Sequence, residues 1–175
     1  MTHIDYSNFN SKQIFKYDFC IVGAGVSGII VANEIIRKFP KKRICIIESG
    51  NFKISNLHNN SLKRTFFNDL PIKNSSREFT VGGSSSTWGG LTSHFCKEEF
   101  SLWPIDYSVI EKNYKKASQR YDFINTLKME DKDKNRRSFN NKPFSAYLNP
   151  INYKYFLNNK YDLIYNAHVI CIKSE

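Results

Sequence analysis

The clearest pattern of apolar and polar positions lies between residues 17 and 48. Residues 17–22 are a short, largely apolar run, which predicts a central strand of a parallel sheet. Residues 26–39 are apolar nearly all round in their first half, which predicts a helix between the sheet and a covering layer. Pro40 predicts the end of that helix. Residues 43–47 predict a second strand, so this part of the chain is expected to form a βαβ unit.

A second helical pattern begins after Trp103-Pro104 and runs from Ser108 to about Tyr121. Ser108 and Glu111 have the spacing of a capping box, which places the expected start of the helix at Ser108. Apolar side chains recur at helical spacing and predict one buried face. These side chains are Ile110, Tyr114, Ala117 and Tyr121.

The remaining segments have weaker patterns. Residues 161–165 and 168–173 are expected to form two further strands. Residues 1–16 are interpreted as a polar lead-in, and residues 51–80 show no firm period. Residues 125–142 have mixed charge and almost no apolar content, which predicts an exposed loop or insertion.

Three glycines between the first strand and the first helix carry the first chemical signal. Gly23, Gly25 and Gly28 have the spacing G-x-G-x-x-G, and Glu48 follows Gly28 by 20 residues. In a strand–turn–helix context this is the dinucleotide-binding fingerprint, in which the diphosphate binds at the helix N-terminus and the acid binds ribose hydroxyls. The fingerprint alone does not distinguish FAD from NAD.

A second glycine-rich stretch, GGSSSTWGG at residues 82–90, bears on the choice between FAD and NAD. Its small residues exclude a regular helix or strand interior. Glycines let a ligand approach the backbone closely, and serines add hydroxyl donors. Such a loop can wrap a diphosphate or the edge of a flavin ring. Trp88 and the neighbouring aromatic residues argue against a flexible linker.

Composition and charge exclude some classes of function but do not identify one. The formal net charge is +10, but the positive residues are spread along the chain and no nucleic-acid-binding motif is present, so no nucleic-acid partner is expected. The four cysteines form no C-x-x-C pair, and no metal site is predicted. Three of them lie in predicted strands as small apolar side chains: Cys20, Cys45 and Cys171. The absence of a signal-peptide pattern and of a long apolar span predicts a cytoplasmic protein without a membrane partner.

Three motifs together resemble the FAD-dependent glucose–methanol–choline oxidoreductases, in particular the branch that includes pyranose 2-oxidase and bacterial sugar dehydrogenases. They are VGAGVSG with its downstream ESG, VGGSSSTWGG, and WPIDYSVIEKNYKKA. A weaker fourth, NAHVICI at residues 166–172, looks like the later strand whose backbone near Val169 brackets the adenine. The four motifs occur in family order.

The resemblance implies an α/β fold, a Rossmann-like FAD-binding domain over residues 17–175 that is incomplete relative to the family. It implies FAD as cofactor and oxidation of an alcohol or sugar hydroxyl by hydride transfer to the flavin. The implied cofactor-binding residues come from all four motifs. They are Gly23, Ala24, Gly25, Val26, Ser27, Gly28, Glu48, Ser49, Gly82, Gly83, Ser84, Ser85, Thr87, Trp88, Gly89, Gly90 and Val169.

Two departures from the family pattern change these expectations. Thr87 stands where pyranose 2-oxidases carry a His that bonds to the flavin, so non-covalent FAD is expected. The family's C-terminal catalytic residues have no counterpart in this chain, so the catalytic base is unassigned and weak or no turnover by the isolated chain is expected. The interpretations are a truncated gene product, one half of a split gene, or a chain whose active site a second polypeptide completes. The alternatives are another FAD-dependent oxidoreductase, of amine oxidase or desaturase type, and a non-catalytic nucleotide-binding module.

Overall fold

The computed structural model describes residues 2–9, 14–52, 66–67, 70–71, 78–86, 97–121 and 160–173. Within these ranges the strands are β1 (His3–Asp5), β2 (Phe19–Val22), β3 (Ile44–Ile47), β4 (Phe66–Phe67), β5 (Leu70–Pro71) and β6 (Asp162–Tyr165). The α-helices are α1 (Val26–Lys38) and α2 (Tyr107–Tyr121). Short 3₁₀ helices span Tyr6–Asn8, Gly83–Ser86 and Lys97–Leu102.

Four strands form a parallel sheet in the order β1-β6-β3-β2. Counted along the chain from β2, the strands of this sheet are β2 as first, β3 as second and β6 as third. Their order in space is therefore 3-2-1, which is one half of the strand order of a doubly wound nucleotide-binding sheet. This arrangement confirms the predicted α/β class with a Rossmann-like parallel sheet. Strands β4 and β5 form a separate antiparallel pair.

The helix α1 covers one face of this sheet. Its buried side chains Ile29, Ala32 and Ile36 belong to one cluster with Ile44, Ile46 and Leu163 of the two middle strands. Each fully buried isoleucine or leucine side chain of this cluster contributes roughly 1.5–3 kcal/mol relative to an exposed one. The helix ends at Lys38, with Phe39 as its C-cap, directly before Pro40. The predicted βαβ unit is thus confirmed, with bounds shifted by one or two residues.

The opposite face of the sheet is covered less completely. Cys45 and Ile164 are buried there with Ala167, and Phe15 and Tyr17 pack against them. Val22, on the same face of β2, is 57% exposed. The prediction of a central position for β2 is wrong for the described residues, where β2 ends the strand order. Its apolar composition follows instead from the contact of Phe19 and Ile21 with the cluster beneath α1.

Three other expectations need correction. Residues 1–16 are not only a polar lead-in, because His3–Asp5 pairs in parallel with β6. Residues 168–173 form no strand, whereas the predicted strand at 161–165 is confirmed as β6. The cysteines Cys20 and Cys171 are exposed rather than packed as apolar side chains.

The chain divides into two compact units, Met1–Trp88 with Tyr147–Glu175, and Gly89–Ala146. In the second unit, the ring of Phe100 is buried and lies 4.8 Å from Trp103 and 5.4 Å from Tyr107 between ring centroids. The helix α2 starts one residue before the predicted position. Its cap is Asp106, whose carboxylate accepts the Ser108 N–H at 2.7 Å, so the capping box expected at Ser108 is wrong.

The insertion predicted at residues 125–142 lies outside the described residues. No helix in the described ranges is long and apolar enough to cross a membrane.

Candidate dinucleotide site at the carboxyl ends of the strands

The turn after β2 has the geometry that the glycine fingerprint requires. Gly23 has φ +96°, a conformation that strains other residues, and its N–H donates to the Ile47 carbonyl at 2.7 Å. A Cβ on Gly28 would lie 2.0 Å from the Gly23 carbonyl oxygen. The helix can therefore approach the turn this closely only because residue 28 has no side chain.

At Gly25 the described part of the chain leaves space above the turn. A Cβ built on this residue meets no atom of the described residues within 4 Å. Gly25 is also the N-cap of α1, without a side-chain capping bond, and the first turn contains no acidic residue. The first main-chain N–H groups of a helix have no intrahelical acceptor, and the helix dipole makes this end positive. An anionic group is thus favoured beside Gly25, Val26 and Ser27.

Glu48 lies at the end of β3 and is only 6% exposed. Its Oε2 accepts the Ala24 N–H at 2.8 Å, and its Oε1 accepts the Gly50 N–H at 2.9 Å and the Ser49 hydroxyl at 3.2 Å. The sequence assigned this carboxylate to a ribose. In the structure it joins the glycine turn to the segment after β3, and a carboxylate with about four lone-pair sites retains acceptor capacity for a hydroxyl.

The second glycine stretch lies directly against the first. The N–H of Gly82 donates to the Ala24 carbonyl at 2.8 Å, and Gly82 forms a parallel bridge with Gly25. A Cβ on Gly83 would lie 3.2 Å from the Gly25 Cα. The two loops that the sequence predicted from separate motifs therefore meet at the N-terminal end of α1.

The serines of this stretch differ in their surroundings. The Ser85 hydroxyl is buried and donates to the Gly82 carbonyl, so it stabilises the turn of its own loop. Ser84 is exposed. The other predicted residues of this loop, Thr87, Trp88, Gly89 and Gly90, lie outside the described residues.

Two residues that the sequence did not single out position the second loop. Thr80 is 1% exposed, and its hydroxyl donates to the Asn51 carbonyl at 2.7 Å. The same carbonyl accepts the Val81 N–H at 2.9 Å, and Asn51 and Thr80 form a parallel bridge. No local signal identifies this pair, because neither residue type nor spacing marks a contact between two distant loops.

The segment after β6 reaches the same region through its main chain. The N–H of Ala167 donates to the Glu48 carbonyl at 2.9 Å, and the N–H of Asn166 donates to the Gly50 carbonyl at 2.9 Å. Val169 is 39% exposed and does not belong to a strand. The strand expected there is absent because the chain turns at Asn166, which has φ +55°, and leaves the sheet.

These loops follow the carboxyl ends of parallel strands, where open α/β sheets bind their ligands. The first glycine turn follows β2, Glu48 follows β3, and Ala167 follows β6. Among the described residues, these main-chain bonds leave space beside Gly25 in the direction of a Cβ, at the N-terminal end of α1. The arrangement therefore suits a diphosphate group with an attached nucleoside.

The comparisons with known proteins give different results for sequences and for solved structures. No protein-family model matches the sequence, and no curated protein matches it. Among solved structures, the chain is similar to a fungal aryl-alcohol oxidase, with 23% sequence identity and a TM-score of 0.36. The matched part covers 52% of this chain and 18% of the oxidase chain.

Proposed function

We propose that this chain binds FAD non-covalently and forms the FAD-binding part of an oxidoreductase that acts on the CH–OH groups of alcohols or sugars. The observation that carries the proposal is the contact of the two glycine loops, in which the Gly82 N–H bonds to the Ala24 carbonyl. The contact brings a second glycine turn, whose backbone a ligand can approach closely, to the N-terminal end of α1.

The residues present fit the cofactor in three respects. The uncovered helix end at Gly25 and Val26 would hold the diphosphate. Glu48 would accept hydrogen bonds from the ribose hydroxyls, with its carboxylate already oriented by the Ala24 and Gly50 N–H groups. The loop that begins at Gly82 would contact the same diphosphate through its glycine backbone.

A bound flavin would supply the hydride acceptor for substrate oxidation. The protein's own contribution, on this proposal, is to orient the cofactor and to exclude water from the diphosphate. No residue of this chain is assigned as the general base. Cofactor binding and substrate oxidation are therefore separate parts of the proposal and need separate tests.

Equilibrium dialysis of the purified chain against FAD, FMN, NAD⁺ and ADP tests the binding part. We expect FAD to be retained, ADP to compete with it, and FMN to bind less tightly because it lacks the adenosine monophosphate half. Retention of NAD⁺ in preference to FAD would refute the choice of cofactor. Failure of all four ligands to bind to the folded chain would refute the dinucleotide site itself.

Dye reduction by the FAD-loaded chain with alcohols and sugars tests the second part. Weak or absent turnover is expected from the isolated chain, and the addition of a polypeptide that carries a general base is expected to raise it. Tight FAD binding with no oxidation of any alcohol or sugar under either condition would leave a nucleotide-binding module without this activity.

A further inference from the structure

Two cysteines lie side by side on neighbouring strands of the sheet. Cys20 of β2 and Cys45 of β3 are direct partners in the parallel register. Side chains alternate between the faces of a strand, so both thiols point to the face opposite α1, away from Phe19 and Ile21. Neighbouring strands are about 4.8 Å apart, a spacing within the range of about 4.4–6.8 Å between the Cα atoms of disulfides.

The surroundings of the two thiols differ. Cys20 is exposed, whereas Cys45 is 2% exposed. Burial, and then the adjacent Cys20, which shares a hydrogen bond with it, raise the pKa of the Cys45 thiol to about 12. A small reagent can therefore reach Cys20 first, while Cys45 is held as a neutral thiol in contact with it.

We propose that Cys20 and Cys45 form a reversible cross-strand disulfide when the protein meets a low-molecular-weight disulfide such as oxidised glutathione. The Cys20 thiolate attacks one sulfur of the reagent, forms a mixed disulfide and releases one glutathione thiolate. Cys45 then loses its proton to water and attacks the Cys20 sulfur, which releases the second glutathione thiolate. Two protein thiols are oxidised, and one molecule of oxidised glutathione is reduced to two thiols.

The position of the pair makes this disulfide easy to reduce. Side chains in register on neighbouring strands begin about 4.8 Å apart, which is the strand spacing. The Cβ atoms of a disulfide are closer, about 3.5–4.5 Å apart. Closure must draw β2 and β3 together, which strains the disulfide. Strained disulfides are reduced more easily than unstrained ones. The bond would form three residues before Gly23 on β2 and three residues before Glu48 on β3.

Peptide mapping of the wild-type chain tests the proposal directly, because each cysteine falls on its own tryptic peptide. These peptides are residues 17–37, 44–53, 78–97 and 161–173. The folded protein is treated with oxidised glutathione, alkylated and digested. We expect peptide 17–37 linked to peptide 44–53, and loss of this link after excess reduced glutathione. A mixed disulfide at Cys20 that never closes, or a link of either cysteine to another peptide, would overturn the proposal.

Three variants separate the two steps. Cys45→Ala should accumulate glutathione on Cys20, Cys20→Ser should leave Cys45 unmodified in the folded protein, and Cys171→Ser should form the link like the wild type. Cys20 is exposed, so its serine variant keeps the test valid if Cys45→Ala does not fold. In the wild type, closure from the mixed disulfide should accelerate about tenfold per pH unit near neutrality, because Cys45 must first lose its proton. A closure rate independent of pH would contradict this order of steps.

Discussion

The main-chain N–H of Gly82 donates to the carbonyl oxygen of Ala24 at 2.8 Å, and this bond joins two glycine loops that are far apart in sequence. Ala24 has a second role, because its own N–H donates to Oε2 of Glu48 at 2.8 Å. One residue of the fingerprint turn is thereby fixed from both sides.

Alanine at two positions of the fingerprint should separate binding from stability. Gly25→Ala adds a methyl group where no described atom lies within 4 Å, at an ordinary φ of −74°, so the free energy of unfolding should fall by at most about 1 kcal/mol, the cost of alanine in place of glycine at an N-cap. The same methyl group would occupy the proposed diphosphate position and weaken FAD binding by at least roughly tenfold, or about 1.4 kcal/mol. Equilibrium dialysis and chemical denaturation measure the two effects.

Gly28→Ala is the matched substitution on the same helix. Its Cβ would lie 2.0 Å from the Gly23 carbonyl oxygen, so the helix must move and the protein should lose about 1–3 kcal/mol of stability. Equal losses of stability in the two variants would contradict the geometry described for the turn.

Glu48→Gln should destabilise the fold even without a cofactor. The glutamine side chain has one acceptor oxygen, but the Ala24 and Gly50 N–H groups are held by different carboxylate oxygens. One N–H group would then face the amide NH₂, at a cost of about 1–3 kcal/mol in the free energy of unfolding. Urea denaturation at neutral pH measures this loss.

Glu34→Gln is a suitable control for that measurement. Glu34 forms an ion pair with Arg37 on the surface of α1, at 2.6 Å, and exposed pairs of this kind contribute about 0–1 kcal/mol. A loss in Glu48→Gln no larger than in Glu34→Gln would show that Glu48 does not hold the two loops together.

Thr80→Val should loosen the second glycine loop. Valine preserves the shape of the buried side chain but removes the hydroxyl that donates to the Asn51 carbonyl, at a cost of about 0.5–1.5 kcal/mol. The amides of Val81 and Gly82 should exchange hydrogen faster, since they depend on the loop that Thr80 holds. Thr80→Ser retains the hydroxyl and serves as the control. Unchanged exchange at Val81 in Thr80→Val would refute the role given to Thr80.

Tyr17→Phe should reduce the loss of stability at high pH. Burial, and then the hydrogen bond to Asp162 at 2.9 Å, raise the pKa of Tyr17 from 10.0 to about 12. Because the folded-state pKa is the higher one, the stabilisation by the neutral phenol is complete below pH 10 and is lost as the pH rises towards about 12. Melting temperatures measured across this range should fall less steeply in Tyr17→Phe than in wild type. Parallel pH profiles would contradict the prediction.

The local elements of the βαβ unit could be predicted because their signals are local. Apolar runs define β2 and β3, Pro40 ends α1, and the spacing from Gly23 to Gly28 specifies a turn that other residues cannot adopt. The capping of α2 was predicted less well. Ser108 and Asp106 are both good N-cap residues, and only the observed hydrogen bond distinguishes them.

Predictions from the apolar and polar pattern were wrong where strand formation depends on pairing with a distant strand. Residues 168–173 contain strand-forming side chains, yet a strand exists only where a neighbour offers hydrogen-bond partners, and this segment leaves the sheet at Asn166. Residues 3–5 carry no strand pattern, but β6 provides them with a parallel partner. For the same reason, the sequence could not reveal that β2 has an exposed face with Cys20 beside Cys45.

The sequence by itself determined the α/β class, the fingerprint turn and the residues of both glycine loops, because steric and propensity rules act within a few residues of chain. Only the tertiary structure decided that the Gly82 loop packs on Ala24, that Glu48 joins two loops through its carboxylate, and that Thr80 and Asn51 hold the second loop in position. Those relationships are hydrogen bonds between distant segments. They arise when the parallel sheet brings the carboxyl ends of its strands together, and no local pattern records them.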